Sequence, residues 1–277
     1  MSTSNQSLHS PNTLVTDLDG TLIPTPGIEQ NETDLLRLGK LHKELGFTLM
    51  FATGRHFNSV LRAIERYQLP LPEWVICDVG TSIYQADGTS FRNNHDYETL
   101  LKTVCGGIDR SKVETAFKQV SRLQLQPEEN QSEFKISYWC NQDELKELLD
   151  QVNEIQQRES LPYTCLSSVN PSGDRGLIDI LPEGVDKAYA LRWLANRLEL
   201  PLSRIVYAGD SGNDLAALID GYASVIVGNA SDHLRADVKM HIDAQENPGP
   251  CYFADAFATS GVLEGMKHYG LIPVSVE

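Results

Sequence analysis

The stretch VTDLDGTL, Val15 to Leu22, constrains this chain more than any other. Thr13 to Leu18 is an apolar run that reads as a short buried strand. Its end carries two carboxylates, Asp17 and Asp19, with Gly20 and Thr21 behind them. Three readings compete. A calcium loop counted from Asp17 requires glycine at the sixth position and glutamate at the twelfth; Leu22 and Ile28 stand there, so that reading fails. An ordinary turn built on Asp19-Gly20 fits these residues taken alone. A catalytic carboxylate pair is the third reading, since open α/β sheets bind ligands at the C-terminal ends of their strands. Clustered carboxylates need a cation to offset them. The rest of the chain should then supply further oxygen ligands, a phosphate-binding hydroxyl and a lysine, each after a strand or at a helix start.

The surrounding chain alternates strands and helices. NETDLLRLGKLHKELG places Leu35, Leu38, Leu41 and Leu45 at helical spacing, and Gly46 stops that helix. FTLMFAT (Phe47 to Thr53) reads as the next strand, and SVLRAIERYQL as a helix ending before Pro70. EWVICDVGTSIYQ adds a strand pair turning near Gly80. This order implies a parallel sheet with helices on both faces. From about Gln85 the chain is more polar, with helices expected over 111–123 and 142–157. Between them, in EFKISYWC, Phe134, Ile136 and Tyr138 alternate with Lys135, Ser137 and Trp139, as in a half-exposed antiparallel strand. GLIDILP (Gly176 to Pro182) reads as another strand. The α/β rhythm then returns with KAYALRWLANRLEL, RIVYAGD, NDLAALIDG, SVIVGN and a C-terminal helix over 260–268. The expected fold class is α/β, with a Rossmann-like parallel-sheet core over 1–85 and 184–277 and an inserted α+β cap over 86–183.

The demand made by the two aspartates is met. FATGR ends a strand with Thr53 and Gly54, where a hydroxyl and helix N-terminal N–H groups make an anion site. Lys187 opens the helix at which the core resumes, and YAGDSGND ends a later strand with Asp210, Asn213 and Asp214. Each fragment alone is weak; their joint order, each at a strand end, is specific.

Composition narrows the partners. The formal net charge is −15, a surface that repels polyanions, so nucleic acid is excluded as the expected partner. No apolar segment is long enough to span a bilayer, and the polar N-terminus does not read as a secretory signal. Cys77, Cys105, Cys140, Cys165 and Cys251 form no CxxC pair, which argues against structural zinc and a disulfide framework and points to a cytoplasmic setting.

In DLDGT, ATGR, a lysine and GDSGND, the chain resembles the haloacid dehalogenase superfamily of phosphatases, of the type with a large C2 cap. DVGTSIY (Asp78 to Tyr84), GIDRSKV (Gly107 to Val113) and IDILPEGVDK (Ile178 to Lys187) resemble its sucrose-phosphatase branch. That branch usually has glycine before the lysine, where this chain has Asp186. A carboxylate there either draws the lysine off phosphate or points outward as a helix N-cap.

The resemblance implies the following roles. Asp17 is the nucleophile, Asp19 the general acid and then base. Mg²⁺ is held by the Asp17 carboxylate, the Asp19 carbonyl and Asp210, with Asp214 supporting that shell. Thr53, Gly54, Lys187 and Asn213 cradle the phosphoryl group. Lys135 either faces the sugar or is a solvated lysine on an edge strand. Tyr138 and Trp139 point to opposite faces, so one can stack on a sugar ring, while His56 lines the cleft without a role. The implied substrate is a small-molecule sugar phosphate: sucrose-6-phosphate, or the phosphates of mannosylfructose, glucosylglycerol or mannosylglycerate. A sugar-phosphate glycosyltransferase is the candidate protein partner. Three other functions stay open: a broad-specificity sugar phosphatase, a phosphomutase, and a non-catalytic sugar-phosphate binder that regulates a glycosyltransferase.

Overall fold

The computed structural model describes residues 11–104, 106, 108–169, 175–246 and 248–273. Residues 1–10, Cys105 and Gly107, the first residue of GIDRSKV, lie outside these. In chain order the first half supplies β1 (Thr13–Thr16), α1 (Glu29–Leu45), β2 (Thr48–Ala52), α2 (Phe57–Tyr67), β3 (Trp74–Cys77), β4 (Ser82–Asp87), β5 (Ser90–Asn93) and α3 (His95–Val104). A second unit follows with α4 (Arg110–Phe117), β6 (Gln124–Leu125), β7 (Ile136–Asn141), α5 (Leu145–Arg158), β8 (Tyr163–Val169) and β9 (Arg175–Pro182). The chain then returns through α6 (Lys187–Arg197), β10 (Ile205–Gly209), α7 (Leu215–Leu218), β11 (Ala223–Ile226), α8 (Asp232–Ala244), β12 (Cys251–Phe253) and α9 (Ala258–His268).

The main sheet has the order β12-β11-β10-β1-β2-β3-β4-β5. It is parallel from β12 to β3 and antiparallel through β4 and β5. Successive strand residues face opposite sides. Leu14, Leu49, Phe51, Val75 and Val206 therefore pack with Leu38 of α1, Val60 of α2 and Met266 of α9. Val15, Met50, Ile76 and Tyr207 pack with Leu101 of α3, Leu191 of α6 and Val238 of α8. Both faces are covered, which is why these strands read as unbroken apolar runs. β1 is central, between β10 and β2, so the strand end carrying Asp17 lies beside the ends of both.

Two expectations are corrected. Residues 86–104, assigned to the insert on polarity, contribute to the core: β5 is the sheet's last strand, and Tyr97 and Leu101 of α3 are buried in the core cluster. Polarity misled because an edge strand borders solvent and α3 buries only these two side chains. The strand in EFKISYWC is not half-exposed. Its helix-facing residues, Ile136, Tyr138 and Cys140, pack with Val113 and Phe117 of α4 and Val152 of α5. Lys135 and Ser137 on the opposite side are buried too, at 4% and 1% exposure. That side of the four-stranded sheet, ordered β6-β7-β9-β8, looks toward the core, and β7 is internal rather than an edge.

Candidate active site

β1 delivers Asp17 to the centre of the site. Its N–H donates to Ala208 O of β10 (2.9 Å), and its side chain is buried. The chain then turns sharply, with Ile23 N–H donating to Leu18 O (2.8 Å). Gly20 takes φ +73°, and a Cβ there would fall 2.2 Å from Asp210 Oδ2, so only glycine fits. Thr21 Oγ1 donates to Asp210 Oδ1 (2.8 Å). The Gly20-Thr21 pair of DLDGT is thus the piece that fits against the aspartate of YAGDSGND.

Lys187 lies fully buried at the start of α6. Its ammonium donates to Asp17 Oδ1 (3.0 Å) and Asp214 Oδ1 (2.7 Å). Asp214 is also held by the Tyr207 hydroxyl (2.6 Å) and by the N–H groups of Asp210 and Ser211. Asp186 is the N-cap of α6, its carboxylate accepting from Tyr189 N–H (2.8 Å), so it leaves the lysine undisturbed. Gly80 explains DVGTSIY: at φ +103° its missing Cβ leaves room for the Asp186 carbonyl, which would lie 2.1 Å away.

Thr53 and Gly54 follow β2. Arg55 N–H donates to Thr53 Oγ1 (3.2 Å), and the Asn213 side-chain amide lies 3.5 Å from where a Gly54 Cβ would be. These elements bring Asp17, Thr53, Gly54, Lys187, Asp210, Asn213 and Asp214 together beyond the C-terminal ends of the parallel strands β10, β1 and β2. The Asp19 carboxylate is held by an arginine: Arg55 grips it with Nε and Nη2, both at 2.6 Å. Lys135 is no solvated lysine: it donates to Gly54 O (3.0 Å) and ion-pairs with Asp78 Oδ1 (3.2 Å), the latter off hydrogen-bond geometry. Trp139 lies under the Arg175 guanidinium, 5.3 Å from its ring centroid, and Tyr138 packs edge-on to Phe117 inside the cap.

Sequence reasoning missed Arg55, Tyr207 and Asp78. The arginine stands in the quoted ATGR and was readable as a cation two residues from the anion site. Tyr207 carries no pattern that separates it from a core aromatic.

Burial pushes the Asp17 carboxyl well above the usual carboxylate range; Lys187 opposes this, and Asp214, Asp210 and Asp19 add to it. Asp210 is pushed up to about 7, first by burial and then by Asp214. Burial would lower Lys187, but Asp17 and Asp214 hold it above the usual lysine range. Among the described residues, carboxylate oxygens of Asp17, Asp210 and Asp214 all lie within 4.8 Å of one another. Such an all-oxygen, charge-dense set fits a hard divalent cation. Asp214 has both oxygens engaged by donors, so it suits orienting Lys187 and Asp210 better than direct ligation.

The pattern of the sucrose-6F-phosphate phosphohydrolase family matches residues 10–270. The chain belongs to that family. It is a phosphatase of haloacid dehalogenase type. It is 32% identical over 264 residues to a HAD-like hydrolase of Nitrosococcus oceani, covering 92% of this chain and 71% of that one. It is 30% identical over 262 residues to the mannosylfructose-phosphate phosphatase of Agrobacterium fabrum, covering 94% and 97%. The solved sucrose-phosphatase of Synechocystis sp., in complex with sucrose and phosphate, superposes with a TM-score of 0.77 at 25% identity, covering 94% of this chain and 98% of that one. Among the described residues no helix is long and apolar enough to cross a membrane.

Proposed function

We propose that this phosphatase hydrolyses a glycosyl phosphate, with sucrose-6-phosphate the favoured substrate. The observation that carries this is the buried Asp17–Lys187–Asp214 bridge beside Asp210, with a cap that reaches the adjoining loop through Lys135. The named activities of the Agrobacterium and Synechocystis relatives support the substrate class.

In this reading Asp17 attacks the phosphorus in line, and the P–O bond to the sugar breaks. The departing oxygen takes a proton from Asp19. Asp19 then accepts a proton from the water that attacks the aspartyl phosphate, releasing inorganic phosphate and restoring the Asp17 carboxylate. To do this Asp19 must leave Arg55, so substrate entry exchanges a guanidinium for the leaving-group oxygen. Lys187, Asn213, Thr53 and the N–H groups after Gly54 meet the charge on the transferring group, where preorganised donors carry most of the catalysis. Mg²⁺ is the cation we assign to Asp17, the Asp19 carbonyl and Asp210, where it would offset carboxylate and phosphate charge, with Asp214 in support. On the cap, Ser137 and Asp179, joined by a 2.5 Å hydrogen bond, are assigned to the second sugar.

Phosphate release measured with Mg²⁺ across sucrose-6-phosphate, mannosylfructose phosphate, glucosylglycerol phosphate and simple hexose phosphates tests the substrate. A preference of roughly a thousandfold for one glycosyl phosphate, about 4 kcal/mol of transition-state discrimination, is expected. A flat profile would mean that the cap does not read the second sugar.

The cation assignment has a pH signature. Folding raises the Asp210 pKa to about 7, so between roughly pH 4 and 7 the folded chain holds a proton that the unfolded chain has lost. In metal-free protein this group therefore lowers stability as pH rises through that window. Mg²⁺ must displace the proton, so its stabilisation grows over the same window. Saturating Mg²⁺ should raise the melting temperature more at pH 8 than at pH 5.5. Equal shifts at both values would remove Asp210 from the site.

A further inference from the structure

Three consecutive carbonyls in the loop after β2 are taken by three different donors. Thr53 O accepts from Val79 N–H (3.1 Å), Arg55 O from Asp78 N–H (3.0 Å), and Gly54 O from Lys135 Nζ (3.0 Å). The first two donors belong to the core. The third comes from the cap. The C=O and N–H of one planar peptide point in opposite directions. Fixing Gly54 O therefore fixes the Arg55 N–H, which donates to Thr53 Oγ1.

We infer that Lys135 is a positioning residue: the cap lends one ammonium to set the Gly54–Arg55 peptide, and with it the Thr53 hydroxyl. The phosphoryl site is then complete only while the cap sits on the core. Burial would lower the lysine's pKa, but Asp179 and Asp78 raise it above its ordinary range, so it stays charged. Asp78 and Val79 both hold left-handed backbone, φ +53° and +58°, a strained conformation for residues with side chains. That turn supplies both backbone donors and presents the Asp78 carboxylate to the lysine. The cap touches the second phosphate-side loop as well, with Ser167 O 3.6 Å from where a Gly212 Cβ would lie. The Lys135 ammonium is directed at the loop backbone, 3.0 Å from Gly54 O.

The inference rests on phosphoryl binding at Thr53 and Gly54, so Thr53→Ala is measured beside it. The probes are p-nitrophenyl phosphate, which has no sugar, sucrose-6-phosphate, and orthovanadate as inhibitor. Lys135→Met should lower kcat/KM for both substrates by the same factor, about tenfold or more, and weaken orthovanadate inhibition similarly. Lys135→Arg, which can still donate to Gly54 O, should recover part of the loss. If Lys135→Met is unfolded at the assay temperature, Lys135→Gln, too short to reach Gly54, replaces it with the same expected losses. Turnover of p-nitrophenyl phosphate and orthovanadate inhibition within twofold of the parent, per folded enzyme, would overturn the inference. A loss confined to sucrose-6-phosphate would do the same and make Lys135 a sugar contact. Unchanged orthovanadate inhibition in Thr53→Ala would instead bring down the phosphate-loop reading beneath it.

Discussion

Asp17→Asn is expected to lower phosphate release by on the order of 10⁴-fold or more while leaving the fold intact. The amide keeps the shape of the carboxylate but cannot attack phosphorus. Stability should hold or rise, because burial, and after it Asp214, Asp210 and Asp19, push that carboxyl upward against the opposing Lys187, and the amide carries no charge to desolvate. Lys187 keeps its shorter contact, to Asp214. The check is a phosphate-release assay beside a thermal melt. Activity within tenfold of the parent, in a variant that melts normally, would mean that another group attacks phosphorus.

Lys187→Met should damage both activity and stability. The lysine is fully buried and faces two buried carboxylates at 3.0 and 2.7 Å. Taking one partner from a buried ion cluster leaves the others uncompensated, at about 3–5 kcal/mol. The transferring phosphoryl group also loses the buried cation that contacts the nucleophile Asp17, so kcat should fall by about 10²–10³-fold. Denaturant midpoints and kcat measured on one preparation separate the two effects. Saturating Mg²⁺ should return part of the stability, since a divalent cation can offset the same carboxylates. A variant with unchanged midpoint would show that Asp17 and Asp214 do not depend on this lysine for charge balance.

Much of the site was readable because strand ends have few uses. DLDGT, ATGR and GDSGND each follow an apolar run, and parallel pairing of β10, β1 and β2 brings their ends together without further information. Asp186 was readable as an N-cap because the N-cap position favours a short acceptor side chain. Two kinds of information were not local enough to read. The first was the start of the insert: β5 is polar because it lies at the sheet edge, and composition cannot tell an edge strand from a cap strand. The second was the destination of long side chains. Arg55 turns back to Asp19, and Lys135 crosses from the cap to Gly54. In sequence a buried lysine and a solvated one look alike; only tertiary placement separates them. The expectation that Lys135 faces the sugar shared that ambiguity, and the contact its ammonium makes with Gly54 O had no signal in the sequence.

The central claim is a covalent intermediate on Asp17, and trapping it tests that claim most directly. Enzyme turning over sucrose-6-phosphate, or p-nitrophenyl phosphate, is quenched in acid and treated with borohydride, which reduces an acyl phosphate to the alcohol. Peptide mass spectrometry is then expected to find homoserine at position 17 and aspartate retained at positions 19, 210 and 214. Reduction at any of those other positions, or none at 17 under conditions that trap acyl phosphates in a control phosphatase, would contradict the account.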